Sequence, residues 1–213
     1  MMDSIEFYFD CSSPWTYLGF HNVQKLASEF SVSIRWKPIL VGGIFNSVNP
    51  SVYESRRSPV PAKVAYAQKS LQDWARWSGL SINGRPAVFP VNSVKVMRAC
   101  IVLDREGQLP AFARAAFEAY WRDDLDISQE SVVRRLCGIV GVDGTSLLSA
   151  IDDPAVKAEL RSNTDELVRR GGFGSPTVFV GEDMYFGNDH LPLVEAALER
   201  NGARARTRTP SSA

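Results

Sequence analysis

The chain has little cysteine and less histidine: Cys11, Cys100 and Cys137, with His21 and His190, in 213 residues. The three cysteines stand far apart and form no C-x-x-C pair. That excludes a disulfide framework and a dithiol redox couple, and it fits thiols kept reduced. Neither histidine sits at ligand spacing from another His or Cys, so no metal site is expected. Net charge is missing too, since 24 basic and 24 acidic residues cancel. No global field then attracts nucleic acid or a membrane surface. No apolar run approaches membrane-spanning length, and Asp3 and Glu6 interrupt any secretory pattern at the start. The expectation is a cytoplasmic protein with no nucleic-acid or membrane partner.

What is present is ordinary for a globular protein with a sizeable core: 45% hydrophobic and 23% charged residues. The length suits one large domain, or one domain carrying an insertion. The most informative stretch runs from Ile5 to Gly19. Ile5, Phe7 and Phe9 alternate as in a buried strand. Ser13 and Pro14 then read as the N-cap and first residue of a helix. A strand feeding a helix N-terminus that carries a hydroxyl is a place to stabilise an anion, a thiolate included.

The remaining pattern predicts a helix over 14–29, a strand over 32–40, and loop over 46–61, with Gly42-Gly43 as a break. Strand–helix–strand at this length implies parallel pairing. Residues 61–142 read as helices only, with ends marked by Gly79, Gly107 and Gly141 and a cap at Ser128. Asp143 and Asp153-Pro154 open two more helices. Strands return at 177–180 and 184–186 as a hairpin, and Asn188 or Asp189 caps a last helix ending at Arg200. Residues 1–58 and 143–202 are therefore expected to form a discontinuous thioredoxin-like α/β domain. Residues 59–142 form an inserted all-helical domain, and 203–213 a disordered basic tail.

Two stretches carry a family resemblance. Ser13-Pro14-Trp15-Thr16-Tyr17-Leu18-Gly19 resembles the C-P-W-C-Y-L-G turn of DsbA-like thioredoxin-fold proteins with both cysteines replaced. The Ser-Pro form is similar to the glutathione-dependent branch, the 2-hydroxychromene-2-carboxylate isomerases and kappa-class glutathione transferases. Arg170-Gly-Gly-Phe-Gly-Ser-Pro-Thr-Val-Phe-Val-Gly-Glu-Asp-Met-Tyr-Phe-Gly-Asn-Asp189 is similar to the isomerases' R-G-V-F-G-V-P-T-F-F-V-G-D-E-M-F-W-G-N-D-R. Smaller matches lie at Phe89-Pro90, Tyr120-Trp121 and Asp152-Asp153-Pro154, so the resemblance spans about residues 5–200.

The resemblance implies a cis Pro176 beside the Ser13 turn, glutathione as cofactor and an aromatic substrate. The implied reaction is isomerisation of a 2-hydroxychromene-2-carboxylate to trans-o-hydroxybenzylidenepyruvate by reversible thiolate addition, in a homodimer. Ser13 takes the catalytic role of holding the thiolate. Ser175 and Pro176 offer backbone pairing to glutathione, and Asn188, Asp189 and His190 meet its γ-glutamyl end. Lys63 and Asn92 fall where the family has cleft residues; a surface lysine and a capping asparagine are their alternative roles. Phe45, Tyr66, Trp74 and Trp77 are candidate pocket walls, and Cys11 is a nearby thiol or a small buried residue. Ser175 for an apolar residue, His190 for Arg and Ser70 for Asp depart from the pattern. Two other functions stay open: a kappa-class-like transferase or peroxidase, and a cysteine-less module that binds partners without catalysis.

Overall fold

The apolar run at the start of the chain becomes the centre of the molecule. The computed structural model describes residues 4–205, so Arg206 and Arg208 of the expected tail lie outside the described residues. Strand β1 (Ser4–Phe9) sits inside a four-stranded sheet of order β2-β1-β3-β4. It pairs in parallel with β2 (Ser33–Pro38) and antiparallel with β3 (Thr177–Val180), which turns back into β4 (Asp183–Phe186). Helix α1 (Pro14–Phe30) makes the crossover between β1 and β2, the connection that a parallel pair requires.

Alternation along β1 feeds two cores. Ile5, Phe7 and Phe9 enter a large cluster in which Phe7 and Phe9 meet Phe20 and Trp36. Tyr8 points the other way, into a smaller cluster with Ile39, Ile44, Leu167 and Phe179. Fully burying one such ring is worth about 1.5–3 kcal/mol, so the period-two pattern fixes the register. Helix α10 (Leu191–Arg200) covers the first face through Val194 and Leu198. Helices α2 (Val41–Ser47) and α9 (Pro154–Arg169) cover the second through Ile44 and Leu167.

Between α3 (Ser51–Arg57) and α9 the chain is helical: α4 (Pro61–Ser78), α5 (Val94–Asp104), α6 (Leu109–Trp121), α7 (Glu130–Val140) and α8 (Gly144–Ala150). Gly79 and Gly141 end α4 and α7 in the left-handed conformation, with φ of 71° and 74°, a cap geometry that costs a Cβ-bearing residue energy. The helical block is tied to the sheet directly. Tyr17 of α1 stacks on Phe117 of α6, centroids 5.2 Å apart, and the Trp121 indole N–H donates to the Cys11 carbonyl at 2.9 Å. Helix α6 thus holds the turn that follows β1.

Three local expectations are corrected. Gly42-Gly43 does not break the chain but lies within α2, and most of the expected 46–61 loop is the end of α2 and α3. Burial of Ile44 outweighs the poor helix propensity of the two glycines. Ser128 is not a helix cap: the Asp126 carboxylate accepts the Ser128 N–H at 3.0 Å and α7 starts after Gln129. Neither Asn188 nor Asp189 caps α10; both lie in a 3₁₀ turn (Asn188–His190) that precedes it.

Candidate active site

The Asp10 carboxylate builds the turn after β1. It is 1% exposed, and its two oxygens accept the N–H groups of Ser12 and Val41, each at 2.9 Å. The Ser93 side chain lies beside the same carboxyl and favours its charged form. One acid thus fastens the turn to the start of α2. Burial pushes its carboxyl above the ordinary value, against those hydrogen bonds.

Ser13 follows as the N-cap of α1 in extended conformation, and its Oγ accepts the Thr16 N–H at 3.3 Å. The same hydroxyl donates to the Ser175 carbonyl over 3.5 Å. The Ser175-Pro176 bond is cis, as is Phe89-Pro90. Ser175 is itself tied in: its Oγ accepts the Asp10 N–H at 3.1 Å and lies 2.8 Å from the Thr16 hydroxyl. This accounts for a polar residue where an apolar one is expected. Gly19 allows the approach of α1 to the proline, since a Cβ there would lie 2.8 Å from Pro176 Cγ. Among the described residues, the Ser13 hydroxyl bonds only to the Thr16 N–H and the Ser175 carbonyl, so no base is placed to make it a nucleophile. What it offers is a hydroxyl at the positive end of a 17-residue helix.

Asn188 is 2% exposed, and its Oδ1 accepts from Asn22 Nδ2 at 2.8 Å. Asn22 also donates to Ser78 Oγ at 3.0 Å. The pairing leaves Asn188 Nδ2 buried without an acceptor. A lone buried donor costs about 1–3 kcal/mol, and this one has no acceptor among the described residues. Asp189 and His190 beside it are exposed, with Oδ1 and Nδ1 3.4 Å apart.

The other sequence candidates divide. Asn92 is exposed and its Oδ1 accepts the Val94 N–H at 3.1 Å, a capping role one residue from buried Ser93. Lys63 is exposed in the first turn of α4, and no contact among the described residues joins it to Ser13. Tyr66 and Trp77 are 71% and 74% exposed and so wall no enclosed pocket, while Trp74 meets Trp77 edge-on. Phe45 packs on Tyr53 and under Arg56. Cys11 is fully buried, and burial pushes its thiol well up, which makes it structural. Sequence reading missed Asp10, Thr16 and Asn22. Thr16 was within reach, because it stands where the second motif cysteine would be.

A four-stranded mixed sheet, a helix N-terminus at its centre and a cis-proline against that helix define a thioredoxin-like protein without redox cysteines. The chain belongs to the DSBA-like thioredoxin domain family, whose family model matches residues 4–199. It is 29% identical over 92% of its length to a 2-hydroxychromene-2-carboxylate isomerase of Pseudomonas putida, 94% of which is covered. A second isomerase of that name, from Pseudomonas sp. (strain C18), is 30% identical, with 91% and 89% covered. Glutathione S-transferase kappa 1 of Rattus norvegicus is 23% identical, with 89% and 88% covered. Among solved structures, a 2-hydroxychromene-2-carboxylate isomerase superposes with a TM-score of 0.80 at 27% identity, covering 93% of this chain and 95% of that one. No helix among the described residues is long and apolar enough to cross a membrane.

Proposed function

We propose that this protein is a glutathione-dependent isomerase that converts a 2-hydroxychromene-2-carboxylate-type substrate to the trans-o-hydroxybenzylidenepyruvate. The observation that carries the reading is Ser13, a hydroxyl capping α1 against the cis Ser175-Pro176 peptide, where thioredoxin motifs carry the attacking cysteine. Glutathione, when bound, supplies the thiol nucleophile that this turn lacks. Relatives named as isomerases, and the solved structure of the cytosolic disulfide reductase DsbM of Pseudomonas aeruginosa with GSH, which has the same fold, support it.

The chain's own groups divide the work. Ser13 donates a hydrogen bond to an anionic sulfur, and the α1 dipole lowers the cost of that charge. The Ser175 backbone offers strand-like pairing to a peptide, next to Pro176. The orphan Nδ2 of Asn188 fits a carboxylate oxygen, and Asp189 fits an ammonium; its present His190 partner is exposed and readily exchanged. His190, Asn92 and Lys63 are assigned to the same ligand by the family resemblance alone. A homodimer and a cytoplasmic setting belong to the same reading. The exposed Tyr66 and Trp77, about three turns apart along one side of α4, support a covered face there.

Calorimetric titration with glutathione, followed by a spectrophotometric isomerisation assay, tests the proposal. Saturable binding with glutathione-dependent turnover is expected; absence of binding overturns it and leaves a non-catalytic module. Kappa-class relatives along about nine-tenths of the chain favour a second reading, a transferase. Faster conjugation of 1-chloro-2,4-dinitrobenzene than isomerisation would select it.

A further inference from the structure

Two arginines outside the site just described share one aromatic ring. The Arg56 guanidinium carbon lies 5.4 Å from the Phe89 ring centroid and 5.7 Å from that of Phe45, and the Arg85 guanidinium carbon lies 5.3 Å from Phe89. Arg56 belongs to α3, Phe45 to α2, and Arg85 and Phe89 to the segment between α4 and α5. Among the described residues neither guanidinium has a carboxylate partner or donates a hydrogen bond; their contacts are with rings alone. This sets them apart from Arg76, Arg105 and Arg122, each of which pairs with an acid.

The stack is anchored to the catalytic turn from both sides. Asp10 accepts from Val41, which begins the helix carrying Phe45, and lies beside the side chain of Ser93, four residues beyond Phe89. The same carboxylate accepts from Ser12, beside Ser13. A cation–π contact consumes none of a guanidinium's five N–H donors. Two like charges held at one ring, unneutralised by the protein, fit a carboxylate, whose two oxygens have lone pairs enough to accept from both.

We propose that Arg56 and Arg85 form a carboxylate clamp that selects aromatic 2-oxo- or 2-hydroxy-carboxylates, Phe89 holding the two cations in place. This rests on the isomerase reading and names how its substrate is recognised. The clamp sets which electrophiles the site accepts, while Ser13 and Asn188 concern glutathione. Uncharged electrophiles gain nothing from it.

The test is direct binding of trans-o-hydroxybenzylidenepyruvate and of its methyl ester, without glutathione, followed by quenching of tryptophan fluorescence. Both arginines are exposed, so Arg56→Gln, Arg85→Gln and the double variant retain the fold. Losing a charged hydrogen-bond partner weakens binding roughly 10- to 100-fold. Each single variant is expected to lose that much affinity for the acid and none for the ester, with glutathione affinity unchanged. Equal loss for acid and ester, no loss in either variant, or no binding of the acid to the unaltered protein overturns the clamp. Failure of glutathione to bind while the acid still binds through both arginines overturns the isomerase reading and leaves the clamp standing.

Discussion

The hydroxyls of Thr16 and Ser175 lie 2.8 Å apart, and Ser175 Oγ also accepts the Asp10 N–H at 3.1 Å. One side chain thereby joins the end of β1, the first turn of α1 and the cis peptide. Ser175→Val restores the apolar residue usual in the isomerases, yet here it strands a buried N–H. A loss of about 1–3 kcal/mol is expected, read as a lower urea midpoint. A variant as stable as the parent would show that the Asp10 N–H finds another acceptor.

Gly19→Ala sets two effects against each other. Alanine in a helix interior gains about 1 kcal/mol over glycine. Its Cβ, however, would lie 2.8 Å from Cγ and 3.3 Å from Cβ of the stiff Pro176 ring, and overpacking costs about 1–3 kcal/mol. The clash is the larger effect, so the variant should melt lower than the parent and react more slowly. A higher melting temperature would mean that α1 shifts away from the proline freely.

Asp10 gives a pH signature. Burial holds its folded pKa above the unfolded value of about 4. Between those two values the folded state binds more protons, so stability falls as pH rises through that window. Asp10→Asn loses an acceptor at every pH but has no such slope. The stability advantage of the parent over the variant should therefore shrink from pH 4 upward, measured by urea unfolding across that range. An advantage that grows with pH would reverse the sign assigned to this carboxyl.

The parts of this site that the sequence announces are those decided by residue type at one position. Ser13-Pro14 obeys a capping rule, and Ser175-Pro176 stands where the fold needs a proline. The parts it hides depend on partners far along the chain. Asn22 and Asn188 are 166 residues apart, and the capping rule that reads Asn188 as a helix start says nothing about an inward amide. Helix α2 was hidden for a similar reason: Gly42-Gly43 signals a break locally, while Ile44 has a pocket between Tyr8 and Leu167 that only the fold creates. The stack of Arg56 and Arg85 on Phe89 joins residues that no local pattern pairs.

Asn188→Asp is read in folding and in binding separately. The carboxylate keeps an acceptor for Asn22 and replaces the orphan donor with a second oxygen. Stability should fall, because a carboxylate at this 2%-exposed position is desolvated. Glutathione affinity, measured on the folded protein, should fall by at least about tenfold, the cost of a lost charged hydrogen bond. Calorimetry on this variant and on Asp189→Ala reads the two ends of the γ-glutamyl site separately. Unchanged affinity in both would move that site elsewhere.

Ser13 carries two roles that the right substitutions can separate. As N-cap it bonds the Thr16 N–H at 3.3 Å, and Ser13→Ala should cost about 1 kcal/mol of stability for that alone, whereas Ser13→Gly should cost only a few tenths. As a thiolate donor it is lost equally in both variants. Removing one preorganised donor typically slows turnover by roughly 10²–10³, so both variants should fall by that factor at neutral pH despite their different stabilities. Part of the loss should return at higher pH, because the thiol then ionises without the hydroxyl's help. The ultraviolet thiolate absorbance of bound glutathione, titrated in each variant, measures the displaced pKa. If Ser13→Gly keeps full turnover and an unmoved titration, the amides and dipole of α1 suffice, and the hydroxyl serves only to cap the helix.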